Sequence, residues 1–395
     1  MRPATAAVSR SALVVLVALA LFAGGHVARG ALVDAKPGVA YPVNPDDPGR
    51  SATASAWSEL QWNFVGQHGV DAPQAWGNVM AAGAPGGRGV TVAILDTGIA
   101  YPRSRGAAES TPDFRGSRIV PGYDFVDGDT DPSDENGHGT HVASTIAEAT
   151  DNEYGVTGLA YGVRIMPIRV LDSRGDGDAA TIARGVRFAA DHGAKVINLS
   201  LSFAASTTAS QISRLLHAID YAYQKGTLVV AGAGNLGRGA VSFPARGRHV
   251  LAVGGTTEHG CLANYSNHGA GLDLVAPGGG TDAAIASDPL CAPGRSGRPV
   301  YQVTLVAPGV DRFRIRGFIG TSMAAPHVSA TAALVVASGV IGENPSPAAI
   351  EARLKRTARD QGRPGFDQIY GWGLVDAATA TFPGKPRRPA SSEAP

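Results

Sequence analysis

The sequence predicts an α/β fold, a doubly wound and mostly parallel sheet with helices on both faces. Short apolar runs recur along the chain, and segments with apolar residues three and four positions apart separate some of them. Near-continuous apolar runs suit parallel strands that are covered on both faces. This alternation implies right-handed crossovers and a functional site at the carboxyl ends of the strands.

The individual elements follow from these patterns. Each predicted strand is almost uninterrupted in its apolar character, and the five are residues 89–96, 164–171, 194–202, 226–234 and 248–255. Residues 178–193 and 210–226 have helical periodicity and finish in Gly, which commonly terminates helices. We find no internal repeat.

The N-terminal segment, residues 1–30, predicts a signal peptide. Arg2 and Arg10 precede an apolar run over residues 12–23, and small residues follow it. This run is shorter than the roughly 20 residues that a membrane-spanning helix needs, so a retained anchor is the weaker alternative. We therefore expect secretion to the extracellular space and no membrane association after signal cleavage.

The remaining chain divides by composition. Residues 31–57 are rich in Pro, Asp, Ser and Ala without periodicity, which predicts a linker or a short pro-segment. Residues 58–382 read as one globular domain, and residues 383–395 as a disordered tail. The formal net charge is only +1 with 17% charged residues, so nothing indicates a nucleic-acid partner. We expect a monomer.

Two cysteines, Cys261 and Cys291, are the only ones in the chain. In an exported protein they are expected to form one disulfide, whose loop closure would stabilise the fold by roughly 3–4 kcal/mol. Two buried free thiols are the alternative.

Three separated blocks carry the chemistry. Asp96 ends a predicted strand in VAILDTGI, His138 stands between glycines in NGHGTHVAS, and Ser322 opens an apolar helix in GTSMAAPHVSA. A serine hydroxyl becomes nucleophilic when an imidazole takes its proton and a carboxylate orients that imidazole. Alone, Asp96 would be read as a turn residue and Ser322 as a helix cap. Together, the three predict a nucleophile, its base and its orienter, with His141 as a structural histidine.

These blocks and their order resemble the signatures of subtilisin-like serine proteases, the subtilase family. The similarity runs from about residue 61 to residue 380. It implies that residues 58–382 are a catalytic domain that cleaves protein or peptide substrates through an acyl-enzyme on Ser322. Two alternatives stay open: a processing protease with a narrow target, and a catalytically silent binding protein of the same fold.

The resemblance also implies further site residues. Asn235 would donate to the oxyanion, together with the backbone N–H of Ser322. An extended substrate would pair with a strand edge and insert its main side chain beside a glycine-rich segment. These substrate-binding positions are Ser200, Leu201, Ser202, Gly232, Ala233, Gly234 and, at the pocket floor, Ser242. Ser202 stands where the family often has Gly, and the neutral Ser242 argues against a strict Lys or Arg preference.

The stretch GAGNLG, residues 232–237, also matches a dinucleotide-binding fingerprint, and Glu258 lies at a suitable spacing. A dinucleotide site needs a helix after the last glycine. Gly239 and Pro244 interrupt the following segment, which lacks helical periodicity. We therefore predict that this match is not a nucleotide site.

An acidic stretch over residues 124–139 leads into His138, and clustered carboxylates suit Ca²⁺. A solvated acidic loop is the alternative. Resemblance to a thermitase-like calcium loop implies Asp124, Asp127 and Asp129 as ligands. A second calcium site resembles the strong site of the family, and its side-chain ligands would be Gln61, Asp113 and Asn152.

The segment between Gly278 and Gly320 is longer than in simple subtilisins and contains Cys291. We expect an insertion near the leaving-group side of the cleft, tied to Cys261. The part before Gln61 is too short for the usual folded inhibitory prodomain. We expect maturation without that domain, or clipping of a short peptide.

Overall fold

The computed structural model describes residues 42–49, 56–101, 112–114, 117–285, 291–306 and 313–384. All of them belong to one compact unit, residues 40–395. The predicted signal peptide and residues 385–395 lie outside the described part, so those boundaries stay predictions.

A parallel sheet of eight strands forms the centre of the molecule. Its strands are β1 Thr91–Asp96, β2 Arg118–Ile119, β3 Tyr123–Asp124, β4 Arg164–Arg169, β5 Val196–Leu199, β6 Leu228–Gly232, β7 Val250–Thr256 and β8 Leu274–Pro277. The order is β2-β4-β1-β5-β6-β7-β8, with β3 also paired to β4, and every pair is parallel. The predicted fold class is confirmed.

Helices cover both faces of this sheet. They are α1 Trp57–Leu60, α2 Ala72–Ala81, α3 His138–Ala147, α4 Ala179–Asp191, α5 Ser213–Gln224, α6 Thr321–Ser338, α7 Pro347–Thr357 and α8 Ala377–Thr381. Alternate residues of β1 point into two different cores. Val92 and Ile94 pack with α2, α3 and α6, whereas Ala93 and Leu95 pack with α4 and α5. This two-sided burial explains the uninterrupted apolar strands.

Helix α6 runs through the first of these cores and is buried almost all round. Its small side chains, mostly Ala, let it approach the sheet closely. None of the described helices is long and apolar enough to cross a membrane.

The segment after β8 contains an antiparallel hairpin, β9 Val300–Leu305 and β10 Phe313–Phe318. It packs on α3, where the imidazole Nε2 of His141 lies 3.1 Å from the Val300 carbonyl and 3.2 Å from the Arg316 carbonyl. Complete burial lowers the pKa of His141 to about 3, so its imidazole is neutral. His141 therefore joins the hairpin to α3.

A disulfide joins Cys261 and Cys291, which are 30 positions apart in the sequence. It ties the first part of the insertion to the turn after β7, where Cys291 also lies 3.8 Å from the Tyr370 hydroxyl. The structure therefore favours the disulfide over two free thiols.

Candidate active site

Three sequence elements bring the predicted catalytic residues to one edge of the sheet. Asp96 is the last residue of β1, His138 is the first residue of α3, and Ser322 is the second residue of α6. Glycines with positive φ precede both helices, Gly137 at 99° and Gly320 at 145°. L-side chains rarely adopt these conformations, which explains the glycines in both motifs.

The His138 imidazole binds the Asp96 carboxylate, with 2.7 Å between Nδ1 and Oδ1. Asp96 is fully buried, and its Oδ1 also accepts the Thr97 backbone N–H at 2.8 Å. The His138 side chain is 27% exposed, so it can face a substrate. Burial lowers the pKa of His138, but the charge and hydrogen bond of Asp96 outweigh that effect and raise it above 6.5. The pair can therefore accept and hold a proton.

The Ser322 hydroxyl is held by the neighbouring strand end. Its Oγ donates to the Ser200 carbonyl at 3.0 Å, and the Ser200 hydroxyl donates to the Ser322 carbonyl at 2.8 Å. Among the described residues no hydrogen bond joins Ser322 to His138. To give its proton to His138, the Ser322 hydroxyl must first leave the Ser200 carbonyl.

Asn235 faces the start of α6. Its Oδ1 accepts the Thr321 backbone N–H at 2.8 Å and the Thr321 hydroxyl at 2.9 Å. Because the oxygen is engaged, the amide Nδ2 is left to donate, and it lies 3.4 Å from where a Cβ on Gly320 would stand. The backbone N–H of Ser322, in the first turn of α6, has no carbonyl four residues earlier within the helix. Two donors are thus available near Ser322.

The predicted substrate edge lies beside these donors. Ser200 is buried, Leu201 is half-buried and Ser202 is exposed directly after β5. Gly232, Ala233 and Gly234 are all buried at the end of β6. Ser202 is therefore the residue of this predicted edge that is exposed to solvent.

Gly234 has a φ of +107°, and an added Cβ would lie 2.4 Å from the Asn267 amide nitrogen. Asn267 organises this turn, since it donates to the Ala233 carbonyl at 3.2 Å and to the Ser242 hydroxyl at 3.0 Å. Its Oδ1 accepts the Leu236 N–H at 3.1 Å. Sequence reasoning missed Asn267, because an isolated Asn in a turn carries no distinctive signal.

A cavity of about 100 Å³ lies against Ser242 and Asn267. Arg238 and Arg246 line it, and no carboxylate is among its described lining residues. The Phe243–Pro244 peptide bond is cis. No helix follows Gly237 over residues 238–247, which removes the basis for a nucleotide site.

Other polar residues in the site were also missed. Asn198 is fully buried on β5, donates to the Ser200 hydroxyl at 2.9 Å and accepts from Ser329 on α6 at 2.9 Å. An Asn inside the apolar run VINL was the one available signal. Thr321 also escaped notice, since a Thr before a Ser looks ordinary.

The acidic loop does not fit a metal ion. The guanidinium of Arg169 lies 2.9 Å from the Asp124 carboxylate, 2.7 Å from Asp127 and 3.0 Å from Glu135. Asp129 is exposed, and its Oδ1 accepts the backbone N–H of Asp131 at 2.8 Å. An arginine from β4 provides positive charge among these carboxylates, and its position cannot be read from the local sequence. These contacts do not support calcium at Asp124, Asp127 and Asp129, which stays a prediction.

The second predicted metal set is only partly assembled. The Asn152 amide donates to Asp113 at 2.9 Å, and both side chains lie by the end of α3. The Gln61 amide instead donates to the Thr157 carbonyl at 2.7 Å and accepts the Thr157 N–H at 3.0 Å. In the described part of the chain, no three His, Cys, Asp or Glu side chains form a group that could hold a metal ion.

Comparison with known proteins agrees with this geometry. The family model of the subtilase family matches residues 87–373. The chain is 39% identical over 254 residues to the thermophilic serine proteinase of Bacillus sp. strain AK1, covering 64% of this chain and 54% of that protein. It is 38% identical to subtilisin Savinase of Lederbergia lenta, covering 75% and 91%. It is 35% identical to thermitase of Thermoactinomyces vulgaris, covering 74% and 87%.

Solved structures give the same result. A protease from Pseudoalteromonas arctica superposes with a TM-score of 0.67 at 31% identity, covering 86% of this chain and 99% of that one. A lanthipeptide protease superposes with a TM-score of 0.60 at 28% identity, covering 74% and 86%. The chain belongs to the subtilase family and is a subtilisin-like serine protease.

Proposed function

We propose that the protein is a secreted endopeptidase in which Asp96, His138 and Ser322 form the catalytic triad. The observation that carries this proposal is the 2.7 Å contact between the His138 and Asp96 side chains at the sheet edge that also bears Ser322. The apolar N-terminal run supports secretion.

In the proposed mechanism, the Ser322 hydroxyl turns from the Ser200 carbonyl and attacks the substrate carbonyl carbon. Nε2 of His138 takes the hydroxyl proton, and Asp96 stabilises the resulting imidazolium. The Asn235 amide and the Ser322 N–H donate to the oxyanion that forms. His138 then protonates the leaving amine, and water releases the acyl group by the reverse steps.

The substrate is a protein or peptide bound in extended form. Its backbone would lie along Ser200, Leu201 and Ser202, and its main side chain would pass Gly232, Ala233 and Gly234 towards Ser242. The cavity beside Ser242 contains arginines and no described carboxylate, so it offers no counter-charge to Lys or Arg. We therefore expect no strict preference for cleavage after Lys or Arg.

A narrow-specificity processing protease is the second candidate. The exposed side chain of Ser202 at the substrate edge supports it, as does the similarity to a lanthipeptide protease. Both candidates use the same triad, so they differ in substrate range only.

We also propose one calcium ion, near Asp113 and Asn152, in place of the two expected from sequence. Asp113 is buried, and the charges of the buried Glu148 and Asp47 act on it, although these three side chains do not by themselves form a metal-binding group. Burial raises the pKa of Asp113 to about 7 and that of Asp47 to about 6, so their negative charges are poorly stabilised without a cation. Carboxylate, amide and carbonyl oxygens would hold the ion, which would brace the end of α3. Gln61 is not included in this proposal, because its amide is bonded to Thr157 at both ends.

The decisive experiment combines casein hydrolysis with fluorophosphonate labelling of purified protein, wild type beside Ser322→Ala. We expect hydrolysis and a label on Ser322 in the wild type, and neither in the variant. Labelling without casein hydrolysis would favour the processing protease. Absence of both from folded, calcium-supplied wild type would overturn the proposal in favour of a silent binding protein.

A further inference from the structure

Asp134 lies four residues before His138 and is almost completely buried. Its carboxylate accepts five hydrogen bonds. Oδ1 accepts from the Thr97 hydroxyl at 2.8 Å and from the backbone N–H groups of Asn136 and Gly137 at 2.9 Å each. Oδ2 accepts from the backbone N–H and the hydroxyl of Thr140, at 2.9 and 2.6 Å.

Every one of these partners donates. The Thr97 hydroxyl accepts from the Gly139 N–H at 2.9 Å, and the Thr140 hydroxyl accepts from the Ala100 N–H at 3.0 Å, so both hydroxyl protons are directed at Asp134. A protonated carboxyl would have to donate to one of these donors. The network therefore selects the carboxylate anion, although burial raises the pKa of Asp134.

These bonds cap the first turn of α3, which His138 begins. Asp134 satisfies the Thr140 N–H, Thr97 satisfies the Gly139 N–H, and Asn136 accepts the His138 N–H at 3.2 Å. Free N–H groups at a helix start favour a negative charge. The position of the His138 backbone thus depends on Asp134.

Thr97 links the cap of α3 to Asp96, the carboxylate that binds His138. Its backbone N–H donates to the Asp96 carboxylate at 2.8 Å, while its hydroxyl donates to Asp134. One residue therefore connects β1, which carries Asp96, with the start of α3, which carries His138. A displacement at Asp134 would change the geometry of the Asp96–His138 contact.

We propose that Asp134 is a positioning residue of the protease, which fixes His138 against Asp96 and holds a second buried negative charge beside the imidazole. The proposal rests on the triad put forward above. The charged and titratable groups around His138 are Asp96 on β1, His141 on α3, and the pair of Glu135 with Arg169. His141 is neutral, and Arg169 shares its one positive charge among Glu135, Asp124 and Asp127. Asp96 and Asp134 are the two carboxylates whose charges act on the His138 imidazole.

The charge has a measurable consequence. Burial lowers the pKa of His138, and Asp96 raises it. The negative charge of Asp134 is a further cause that raises this pKa. A neutral side chain at residue 134 should therefore let His138 lose its proton at lower pH. A cap without an electrostatic role would leave that pH unchanged.

The test measures kcat and kcat/KM against pH for wild type, Asp134→Asn and Glu135→Gln, with fluorophosphonate titration of the active fraction. Asp134→Asn should lower kcat at least about tenfold, and its acidic limb should move down by about half a pH unit or more. Glu135→Gln removes a negative charge at the neighbouring position. Because that side chain is 52% exposed and its charge is screened by solvent, the acidic limb should stay where it is in the wild type. An unmoved limb in Asp134→Asn, or an equal shift in Glu135→Gln, overturns the proposal.

A second variant covers the case in which Asp134→Asn does not fold. Thr97→Val removes the link to Asp134 but keeps the charge, so kcat should fall while the acidic limb stays in place. Unchanged kcat in Thr97→Val contradicts the positioning role. Labelling of Ser322 in the wild type separates these failures from a failure of the proposed triad.

Discussion

The two helix starts at the proposed active site differ in the charge of the groups that hold them. α3 and α6 both begin after a glycine of positive φ at the carboxyl edge of the sheet. The start of α3 is held by carboxylates, Asp96 and Asp134. The start of α6 is held by neutral groups, with Thr321 bonded to Asn235 and Ser322 bonded to Ser200.

This difference matches the charges of the reaction. The imidazole at α3 becomes positive in the transition state, and buried carboxylates stabilise it. The oxyanion at α6 becomes negative, and a carboxylate there would oppose it. The two helix starts therefore serve two roles because different side chains surround them.

The largest effect is expected on the neutral side. Ser322→Ala should lower kcat on a chromogenic peptide by roughly 10⁶-fold, because no nucleophile remains. Ser338→Ala, at the other end of α6, is the control and should retain activity. Comparable losses in both variants would mean that damage to the helix, and not loss of the nucleophile, explains the result.

The next effect is expected on the charged side. Arg169→Met leaves the Asp124 carboxylate buried without its cation, and the free energy of unfolding should fall by about 3–5 kcal/mol. Arg174→Met breaks an exposed pair, in which the Arg174 side chain is 77% exposed, and should leave the free energy of unfolding nearly unchanged. Urea denaturation measures both. Equal losses would show that Arg169 is not the counter-ion of the acidic loop.

Removal of the oxyanion donor should give a smaller loss. Asn235→Ala should lower kcat by about 10²–10³-fold, since one of two donors is lost while the triad stays. Asn344→Ala removes an exposed amide bonded to Lys195 and serves as the control. A loss below about threefold in Asn235→Ala would contradict the role of its amide.

The smallest effect concerns the far end of α3. Excess chelator should lower the melting temperature by several degrees, because the ion binds only the folded protein. Asp113→Asn should abolish this dependence, whereas Asp127→Asn should preserve it, since Arg169 takes the place of a cation there. Calorimetry with and without chelator decides this, and equal sensitivity in wild type and Asp113→Asn would rule out the site.

The sequence predicted those features that local patterns encode. The apolar runs identified β1 and β4 to β7, because buried parallel strands need continuous apolar side chains. The motifs around Asp96, His138 and Ser322 predicted the candidate site, because their glycines and small residues reflect close backbone approaches.

Long-range polar contacts were beyond such patterns. Arg169 bonds to Asp127 from 42 positions away in the chain, and Asn267 bonds to Ser242 from 25. In both pairs, the local sequence around one residue does not indicate its distant partner. The acidic loop was therefore read as a calcium site, whereas folding brings an arginine into it.

The central claim is that carboxylates stabilise the charge of the imidazole at the start of α3, whereas neutral donors stabilise the oxyanion at the start of α6. It is tested most directly by the pH dependence of the acylation rate. We would measure it in wild type, Asp134→Asn and Asn235→Ala with one fluorophosphonate. The account predicts a lower midpoint pH in Asp134→Asn, and an unchanged midpoint with a lower plateau in Asn235→Ala. The same midpoint in all three proteins would contradict it.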